Sequence, residues 1–290
     1  MSKDIRVLSL FDGISVAQQA LKELGYKPEY DASEVDKYAI SITHKNHPDT
    51  RQLGDVRQVT ATYPGEYDLL IGGSPCQDLS AARINREGLK GEKSSLFYEY
   101  VRILNETQPK YFVLENVASM SDKSRDLMSA ELGVQPIMID AALVSAQDRK
   151  RYFWTNIPNV TQPEDKGILV RDVIETPYNV TLEYRNRTKE RWRVKRGGKV
   201  QTLRSAMGTG GNNVPLVVHK NVYLSDITKD NAQQLFDNNL LRKITPVECE
   251  RLQSLPDGYT EGVSNTQRYK SLGNAFNMEV VKHILSHAEI

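Results

Sequence analysis

One cysteine and one glutamate lie at sequence positions that suit reactive side chains. Cys76 follows the apolar run 68–71 through a Gly-Gly-Ser-Pro turn, and Glu115 directly follows the apolar run 111–114. Both runs predict buried strands, and residues that follow parallel strands meet at the carboxyl edge of an open α/β sheet. An ionised thiol is a nucleophile, and a carboxyl group can hold or release a proton. Taken singly, a cysteine is more often a buried apolar residue and such a glutamate a helix N-terminal acid.

The first half of the chain predicts the elements that must position these two residues. Short apolar runs alternate with segments whose apolar residues recur at helical spacing, as Ile14, Ala17, Leu21 and Leu24 do before Gly25. The predicted strands are 6–10, 30–34, 68–71, 111–114, 136–140 and 151–154, and the predicted helices include 38–43 and 95–105. Strands with intervening helices predict an α/β fold with a mostly parallel sheet between two helical layers.

From about residue 156 the pattern changes. Pro158, Pro163 and Pro177 interrupt it, and the glycine-rich stretch 208–213 reads as a loop, so a smaller irregular domain is predicted. Regular patterning returns at Thr245, which can cap a helix with Pro246 at its first position and Glu248 completing a capping box. A last helix is predicted over 278–287.

Charge is concentrated in one stretch, although the formal net charge of the 290 residues is only +1. Residues 183–204 hold nine basic and two acidic residues, a net +7, with Tyr184 and Trp192 among them. Such a stretch can neutralise the phosphates of a nucleic acid, or it can be the solvated face of a helix.

Composition excludes several other classes. Cys76 and Cys249 are the only two cysteines and lie far apart, so neither a disulfide framework nor a cysteine zinc site is predicted, and Cys249 reads as a packing residue. The pairs His44/His47 and His283/His287 lack further ligands, and no metal is expected. Without a long apolar run, the chain is predicted to be soluble and cytoplasmic, with no membrane contact.

The order of short motifs along the chain resembles that of the DNA (cytosine-5) methyltransferases. The motifs are Phe11-Asp12-Gly13 and Glu34 after the first two strands, 54–57, Pro75-Cys76, 115–117, 147–151 and 273–275. The joint match covers nearly the whole chain except about 156–240. It is typical of the prokaryotic and phage enzymes, and the Phe-Asp-Gly-Ile variant is also similar to the catalytic domains of animal de novo DNA methyltransferases.

The resemblance implies an S-adenosylmethionine-dependent, Rossmann-like fold with a smaller target-recognition domain. On this basis, residues 1–157, completed by 271–290, are predicted to form the catalytic and cofactor-binding domain, and 158–270 the recognition domain. The implied partner is double-stranded DNA, with the chain acting as a monomer, and a cognate restriction endonuclease can accompany enzymes of this kind.

The resemblance also implies a reaction. A thiolate at Cys76 would add to C6 of a flipped-out cytosine, which makes C5 nucleophilic enough to accept the methyl group. Glu115 would bind N3 and N4 of the base, and Arg149 and Arg151 would orient it. Without the motif, these arginines would read as ordinary surface residues.

S-adenosylmethionine is the implied cofactor and S-adenosylhomocysteine the product. The cofactor contacts implied by the resemblance are Phe11, Gly13, Ile14, Glu34, Val35, Asp55, Val56, Pro75, Leu96, Asn274 and Ala275. The implied DNA contacts are Gln77, Ser80, Arg185, Arg187, Arg191, Arg193, Thr202 and Arg204.

Three other functions stay open at this point. An RNA cytosine-5 methyltransferase of the same fold is the nearest, although the Cys-Phe-Thr motif of the transfer-RNA branch is missing from the sequence. A catalytically silent DNA-binding homologue is the second, and the intact Cys76 and Glu115 weigh against it. A dinucleotide oxidoreductase is the third, but the first turn lacks the G-x-G-x-x-G pattern.

Overall fold

The computed structural model describes residues 3–60, 63–75, 96–185, 191–194, 198–208, 214–223, 226–227 and 231–289, with the backbone alone at 3, 179–185, 191–194 and 232. The chain divides into two compact units. The first unit contains Met1–Asp140, Lys150–Pro163 and Val280–Ile290, and the second contains Ala141–Arg149 and Glu164–Glu279.

A seven-stranded sheet forms the centre of the first unit. Its strands, in chain order, are β1 Lys3–Leu10, β2 Tyr26–Ser33, β3 Arg51–Gln52, β4 Leu69–Gly73, β5 Tyr111–Val117, β6 Ile137–Asp140 and β7 Lys150–Thr155. They are arranged in the order β3-β2-β1-β4-β5-β7-β6. All neighbours are parallel except β5–β7 and β6–β7, which are antiparallel. The predicted α/β fold class is therefore confirmed.

Among the described residues, four helices connect strands of this sheet and a fifth follows from the end of the chain. They are α1 Val16–Glu23, α2 Lys37–Asn46, α3 Phe97–Thr107, α4 Asp122–Leu132 and α9 Met278–Leu285. All but α4 are predicted by the sequence. Two of them begin at residues that suit the start of a helix, because Asp36 accepts a hydrogen bond from Tyr38 N–H and Ser121 accepts one from Ser124 N–H. No helix in the described part of the chain is both long and apolar enough to cross a membrane.

One apolar cluster packs helix residues against the middle strands of the sheet. It joins Leu10, Leu70 and Leu114 from three neighbouring strands with Phe97 and Tyr100 of α3, all five fully buried. Full burial of a large apolar side chain stabilises a fold by about 1.5–3 kcal/mol. The cluster therefore fixes β1, β4 and β5 side by side.

The second unit contains an antiparallel sheet where the sequence predicts irregular structure. Its strands are β8 Tyr178–Arg185, β9 Arg191–Val194, β10 Leu216–His219 and β11 Leu241–Lys243, in the order β11-β10-β8-β9. Its helices are α5 Val170–Val173, α6 Ala232–Asp237, α7 Pro246–Leu252 and α8 Asn265–Asn274. The strands are hard to read from sequence because they are short and separated by long connections rich in polar residues.

The predicted capping box at the start of α7 is confirmed. The Thr245 side chain accepts a hydrogen bond from Glu248 N–H at 3.1 Å, and the Glu248 carboxylate accepts one from Thr245 N–H at 2.8 Å. Cys249 lies in the same helix and is fully buried, as a packing residue would be.

Candidate active site

The turn after β1 is the first part of the candidate site. Phe11, Gly13 and Ser15 all have positive φ, near 60°, which bends the chain sharply before α1. Inside the turn the buried Asp12 carboxylate accepts hydrogen bonds from the Ser15 hydroxyl and, at 2.8 Å, from the Tyr30 hydroxyl. Burial raises the pKa of Asp12, and the hydroxyl donors oppose this shift. Ile14, which follows Gly13 in the turn, is 1% exposed.

Glu34, just after β2, ties this turn to the second strand. One carboxylate oxygen accepts the Gly13 N–H at 2.8 Å, and the other accepts the N–H groups of Val35 and Asp36, also at 2.8 Å each. Burial raises the pKa of Glu34, against these backbone hydrogen bonds, which lower it. The neighbouring Val35 is 71% exposed, so an apolar surface lies open beside a buried carboxylate.

Asp55 follows β3 and begins a short 3-10 turn over Val56–Gln58. Its carboxylate accepts hydrogen bonds from the Arg57 side chain and backbone, which hold the pKa of Asp55 at about 2. Val56 is 4% exposed and belongs to the apolar cluster under the sheet. Asp55 is therefore the polar group that this turn presents.

The loop after β4 is described only in part. Pro75 is half-buried at its start, and Leu96 is half-buried where α3 begins and packs on the apolar cluster. Cys76, Gln77 and Ser80 lie outside the described residues.

Glu115 lies on β5 directly beside the end of β4, opposite Gly73 in the strand register. Its carboxylate forms an ion pair with Arg151 of β7, with 2.6 Å between Glu115 Oε1 and Arg151 Nε. Each side chain is 13% exposed. At such burial the partners hold one another in place, because losing either would leave an almost buried charge uncompensated. Two predicted catalytic residues are thus brought together by antiparallel pairing.

Arg149 lies in the second unit, on the other side of the unit boundary from Arg151. It is 3% exposed, and its guanidinium donates to the backbone carbonyls of Leu203 at 3.2 Å, Gly273 at 3.2 Å and Ala275 at 2.7 Å. In the described structure it therefore holds backbone segments of the second unit together. Its predicted contact with the base stays a prediction.

Residues 273–275 end α8 and belong to the second unit. Asn274 is exposed, whereas Ala275 is buried and its carbonyl group accepts the hydrogen bond from Arg149. A Cβ atom on Gly273 would overlap backbone atoms of Arg204 and Ser205. Only glycine therefore allows this close approach of two chain segments.

Three of the eight predicted DNA-binding residues lie on β8 and β9. Arg185 and Arg191 are directly opposite each other in the strand register, and Arg193 is opposite Glu183, while Arg187 lies outside the described residues. Because 183–185 and 191–194 are strands, the alternative of a helical face is wrong for these residues. Farther along, the Thr202 hydroxyl donates to Asp148 O at 2.6 Å, and Arg204 is exposed.

The sequence motifs contain two residues with buried side-chain amides, Asn116 and Gln147, for which no role was predicted. The Asn116 side chain hydrogen-bonds Ser74, and Gln147 accepts the Leu203 N–H at 2.9 Å while donating to Leu252 O at 3.2 Å. Their position directly inside or beside charged motifs is the signal that could have revealed them. Among the described residues, no group of three or more histidine, cysteine or acidic residues could hold a metal.

The mostly parallel seven-stranded sheet with its helices has the α/β fold of the Rossmann-like methyltransferases. Two solved structures share the fold. A methyltransferase from Entamoeba histolytica has a TM-score of 0.73 at 15% identity, covering 99% of this chain and 98% of that one. A DNMT2 variant from Spodoptera frugiperda has a TM-score of 0.71 at 19% identity, covering 98% of this chain and 99% of that one.

The family follows from the sequence comparison. The model of the C-5 cytosine-specific DNA methylase family matches residues 5–289, and the chain belongs to this family of cytosine methyltransferases. Type II methyltransferase M.NlaX of Neisseria lactamica is 27% identical, over 96% of this chain and 94% of its own length. Orphan methyltransferase M.SPRI of Bacillus phage SPR is 43% identical, over 53% of this chain and 38% of its own length.

Proposed function

We propose that the chain methylates C5 of cytosine in duplex DNA, by flipping the base out of the helix and bonding it transiently to Cys76. The observation that carries this proposal is the position of Glu115. It lies opposite Gly73, three residues before Cys76, and is fixed by the ion pair with Arg151. A carboxyl group fixed beside the strand that leads to a thiol is what addition to a pyrimidine requires.

The thiolate of Cys76 adds to C6 of the flipped base, and the electron pair of the C5–C6 bond becomes available at C5. C5 then takes the methyl group. Loss of the C5 proton to a base returns an electron pair to the ring and expels the Cys76 thiolate, so the sulfur is regenerated. Flipping costs a few kcal/mol, which contacts to the extruded base and to the DNA backbone offset.

Glu115 acts on the opposite side of the ring from the thiol. Addition at C6 makes N3 more basic, and a carboxyl group that shares a proton with N3 stabilises the adduct. The ion pair with Arg151 fixes the carboxylate so that it is already oriented when the base arrives. Arg151 is therefore proposed to orient both Glu115 and the base.

The residues around the first three strands fit S-adenosylmethionine, which supplies a methyl group from its sulfonium centre. A Cβ added at Gly13 would meet no atom within 4 Å, so the turn is open on that side. Glu34 and Asp55 offer carboxylates to ribose hydroxyls and to an adenine amino group, and the exposed Val35 offers an apolar surface to the adenine ring. We assign Phe11, Ile14, Val56, Pro75, Leu96, Asn274 and Ala275 to the same site.

The β8–β9 hairpin is proposed to bind the DNA backbone. Arg185 lies opposite Arg191 in the strand register, so two positively charged residue types are brought to the same place on neighbouring strands. Binding of DNA phosphates by such residues releases counterions. Arg187, Arg193, Thr202 and Arg204, with Gln77 and Ser80 from the loop of Cys76, complete the proposed DNA contacts.

The wider assignments are proposals as well. We assign cofactor binding and catalysis to 1–157 with 271–290, and target recognition to 158–270, in a monomer that acts in the cytoplasm. The names of type II methyltransferases among the relatives support a cognate restriction endonuclease as a functional partner.

Trapping with a modified substrate tests the proposed function. DNA duplexes that contain 5-fluorocytosine cannot lose the C5 substituent, so the chain with S-adenosylmethionine should form an adduct that survives denaturation. The variant Cys76→Ala should form no adduct and still bind DNA, whereas Cys249→Ala is the control that should behave like the unchanged chain. Absence of any adduct, across duplexes of varied sequence, would overturn the proposal.

The same experiment separates the alternatives. RNA oligonucleotides that carry 5-fluorocytosine, run beside the duplexes, distinguish an RNA enzyme from a DNA enzyme. DNA binding without an adduct on either substrate would indicate a silent homologue.

A further inference from the structure

The side chain of Asn116 connects the end of β5 to the chain that leaves β4. Its amide nitrogen donates to the carbonyl oxygen of Ser74 at 3.1 Å and to the Ser74 hydroxyl at 3.0 Å. Its amide oxygen accepts the N–H of Val117 at 2.8 Å. Asn116 is 1% exposed and Ser74 4%, so these hydrogen bonds are shielded from water.

The position of these hydrogen bonds along the chain is informative. The pairing of β4 with β5 ends at Gly73 and Glu115, so Asn116 extends the connection one residue past the end of the ladder. Ser74 is followed by Pro75, whose ring fixes φ, and then by Cys76. Fixing the Ser74 backbone therefore fixes the direction in which the chain leaves the sheet toward the thiol.

The energetics argue against a purely space-filling role. Burying an amide costs free energy unless its hydrogen bonds are made, and Val113, Leu114 and Val117 show that apolar side chains suit the buried positions of β5. An apolar residue at 116 would avoid that cost. The amide is therefore best explained by what it holds, which is the backbone of Ser74.

We propose that Asn116 is a positioning residue, which anchors Ser74 and so sets the place of the Cys76 sulfur relative to the neighbouring Glu115. The inference rests on the proposed function, in which Cys76 is the nucleophile. Asn116 touches neither base nor cofactor in this account and acts through the backbone.

Three variants separate the hydrogen bonds of this anchor. Asn116→Ala removes all of them. Asn116→Asp keeps the size and the acceptor for Val117 N–H, but an ionised carboxylate cannot donate to Ser74. Ser74→Ala removes the hydroxyl and leaves its carbonyl group as acceptor.

The rate of adduct formation with 5-fluorocytosine duplexes in a single turnover is the main measurement. A misplacement of about 1 Å can cost on the order of 100-fold in rate, and we expect a loss of that size for Asn116→Ala and Asn116→Asp. For Ser74→Ala, which loses one hydrogen bond, we expect a loss of up to about tenfold. The KM values for DNA and cofactor should stay unchanged while kcat falls, a split that a general loss of structure would not produce.

Asn156 provides a matched control at the other end of β5. Its amide donates to Lys110 O at 2.9 Å and accepts the Phe112 N–H at 2.8 Å, so it also connects backbone groups of this strand. Asn156→Ala should lower the melting temperature and leave the rate of adduct formation as it is. Alkylation of Cys76 by iodoacetamide should proceed at a similar rate in all variants, with the buried Cys249 as internal reference.

Two outcomes are decisive and distinct. An unchanged chain that forms no adduct would overturn the proposed function itself. If the unsubstituted protein forms the adduct and the Asn116→Asp variant forms it equally fast, the positioning role alone is overturned.

Discussion

At the scale of single residues, the candidate site depends on carboxylates held by neighbours that differ in kind. Glu34 is held by backbone N–H groups, Asp55 mainly by Arg57, and Glu115 by Arg151. Burial leaves Glu34 with a raised pKa in spite of its backbone donors, while the Arg57 guanidinium and backbone N–H lower the pKa of Asp55. Different neighbours thus shift the pKa values of Glu34 and Asp55 in opposite directions.

Replacing Glu115 by glutamine tests its proton-holding role. Glutamine keeps the shape of the side chain but cannot share a proton with N3, and loss of such a group costs about 100-fold or more in rate. We expect Glu115→Gln to form the 5-fluorocytosine adduct at least that much more slowly, with cofactor affinity unchanged by calorimetry. Glu99→Gln is the control, because Glu99 also pairs with an arginine, Arg102, but lies on α3. Equal adduct rates in both variants would contradict the role of Glu115.

At the scale of elements, helix α7 is anchored by a buried carboxylate. Glu248 is fully buried, accepts the N–H groups of Thr245 and Glu175, and forms an ion pair with Arg242 at 2.7 Å. Burial alone would raise the pKa of Glu248, but Arg242 and the backbone donors outweigh it and lower the pKa below its usual value of 4.5. The Glu248 carboxylate therefore connects three parts of the second unit, namely the N-terminal cap of α7, strand β11 and the backbone before β8.

This predicts a pH-dependent contribution to stability. Because the pKa of Glu248 is lower in the folded state, its contribution is present above pH 4.5 and is lost as pH falls toward the folded-state pKa. At neutral pH, Glu248→Gln leaves Arg242 without its carboxylate, and we expect a loss of about 3 kcal/mol in the free energy of unfolding. Urea unfolding at neutral pH and below pH 4.5 measures it, and a difference that does not shrink in acid would contradict the assignment.

Helix α8 offers a second prediction, in which two effects of one alanine oppose each other. Alanine is favoured over glycine in a helix by about 1 kcal/mol, but a Cβ at 273 would overlap the backbone of Arg204 and Ser205. Overpacking typically costs about 1–3 kcal/mol. Here the added Cβ would clash with backbone atoms, which move less easily than a side chain, so we expect Gly273→Ala to lower the free energy of unfolding by about 2 kcal/mol or more. Asn265→Ala, exposed in the same helix, should be neutral or slightly stabilising, and equal melting temperatures for both variants would refute the close approach.

At the scale of the whole molecule, charge is distributed unevenly in a chain of net charge +1. The strand register places Arg185 of β8 opposite Arg191 of β9, and Arg193 opposite Glu183. The proposed DNA contact therefore depends on a short stretch of basic residues rather than on the overall charge of the chain.

Salt dependence of DNA binding tests this. Each phosphate contact contributes about 0.9 to the slope of log K against log salt, so Arg191→Gln with Arg193→Gln should flatten the slope by about 1.8. Arg171→Gln with Lys220→Gln removes the same charge from exposed positions outside the hairpin and should leave the slope unchanged. Equal slopes in the two double variants would show that overall charge, rather than the hairpin, determines binding.

The sequence by itself determined the fold class, the strands and helices of the first unit other than β3 and α4, and the cap of α7. These features depend on local patterns, namely apolar runs of strand length, helical spacing and capping residues, which neighbours in sequence are enough to specify. The motif series likewise predicted the family, because the order of short motifs is a property of the chain alone.

Only the tertiary structure decided which of these residues meet. The ion pair of Glu115 with Arg151, the bonds of Asn116 to Ser74 and the closure of Arg149 on Leu203, Gly273 and Ala275 join residues far apart in the chain. Strand order and register decide such contacts, and they follow from how the sheet packs as a whole. For the same reason, the β8–β10 strands escaped prediction: their pairing partners, rather than their own short patterns, make them strands.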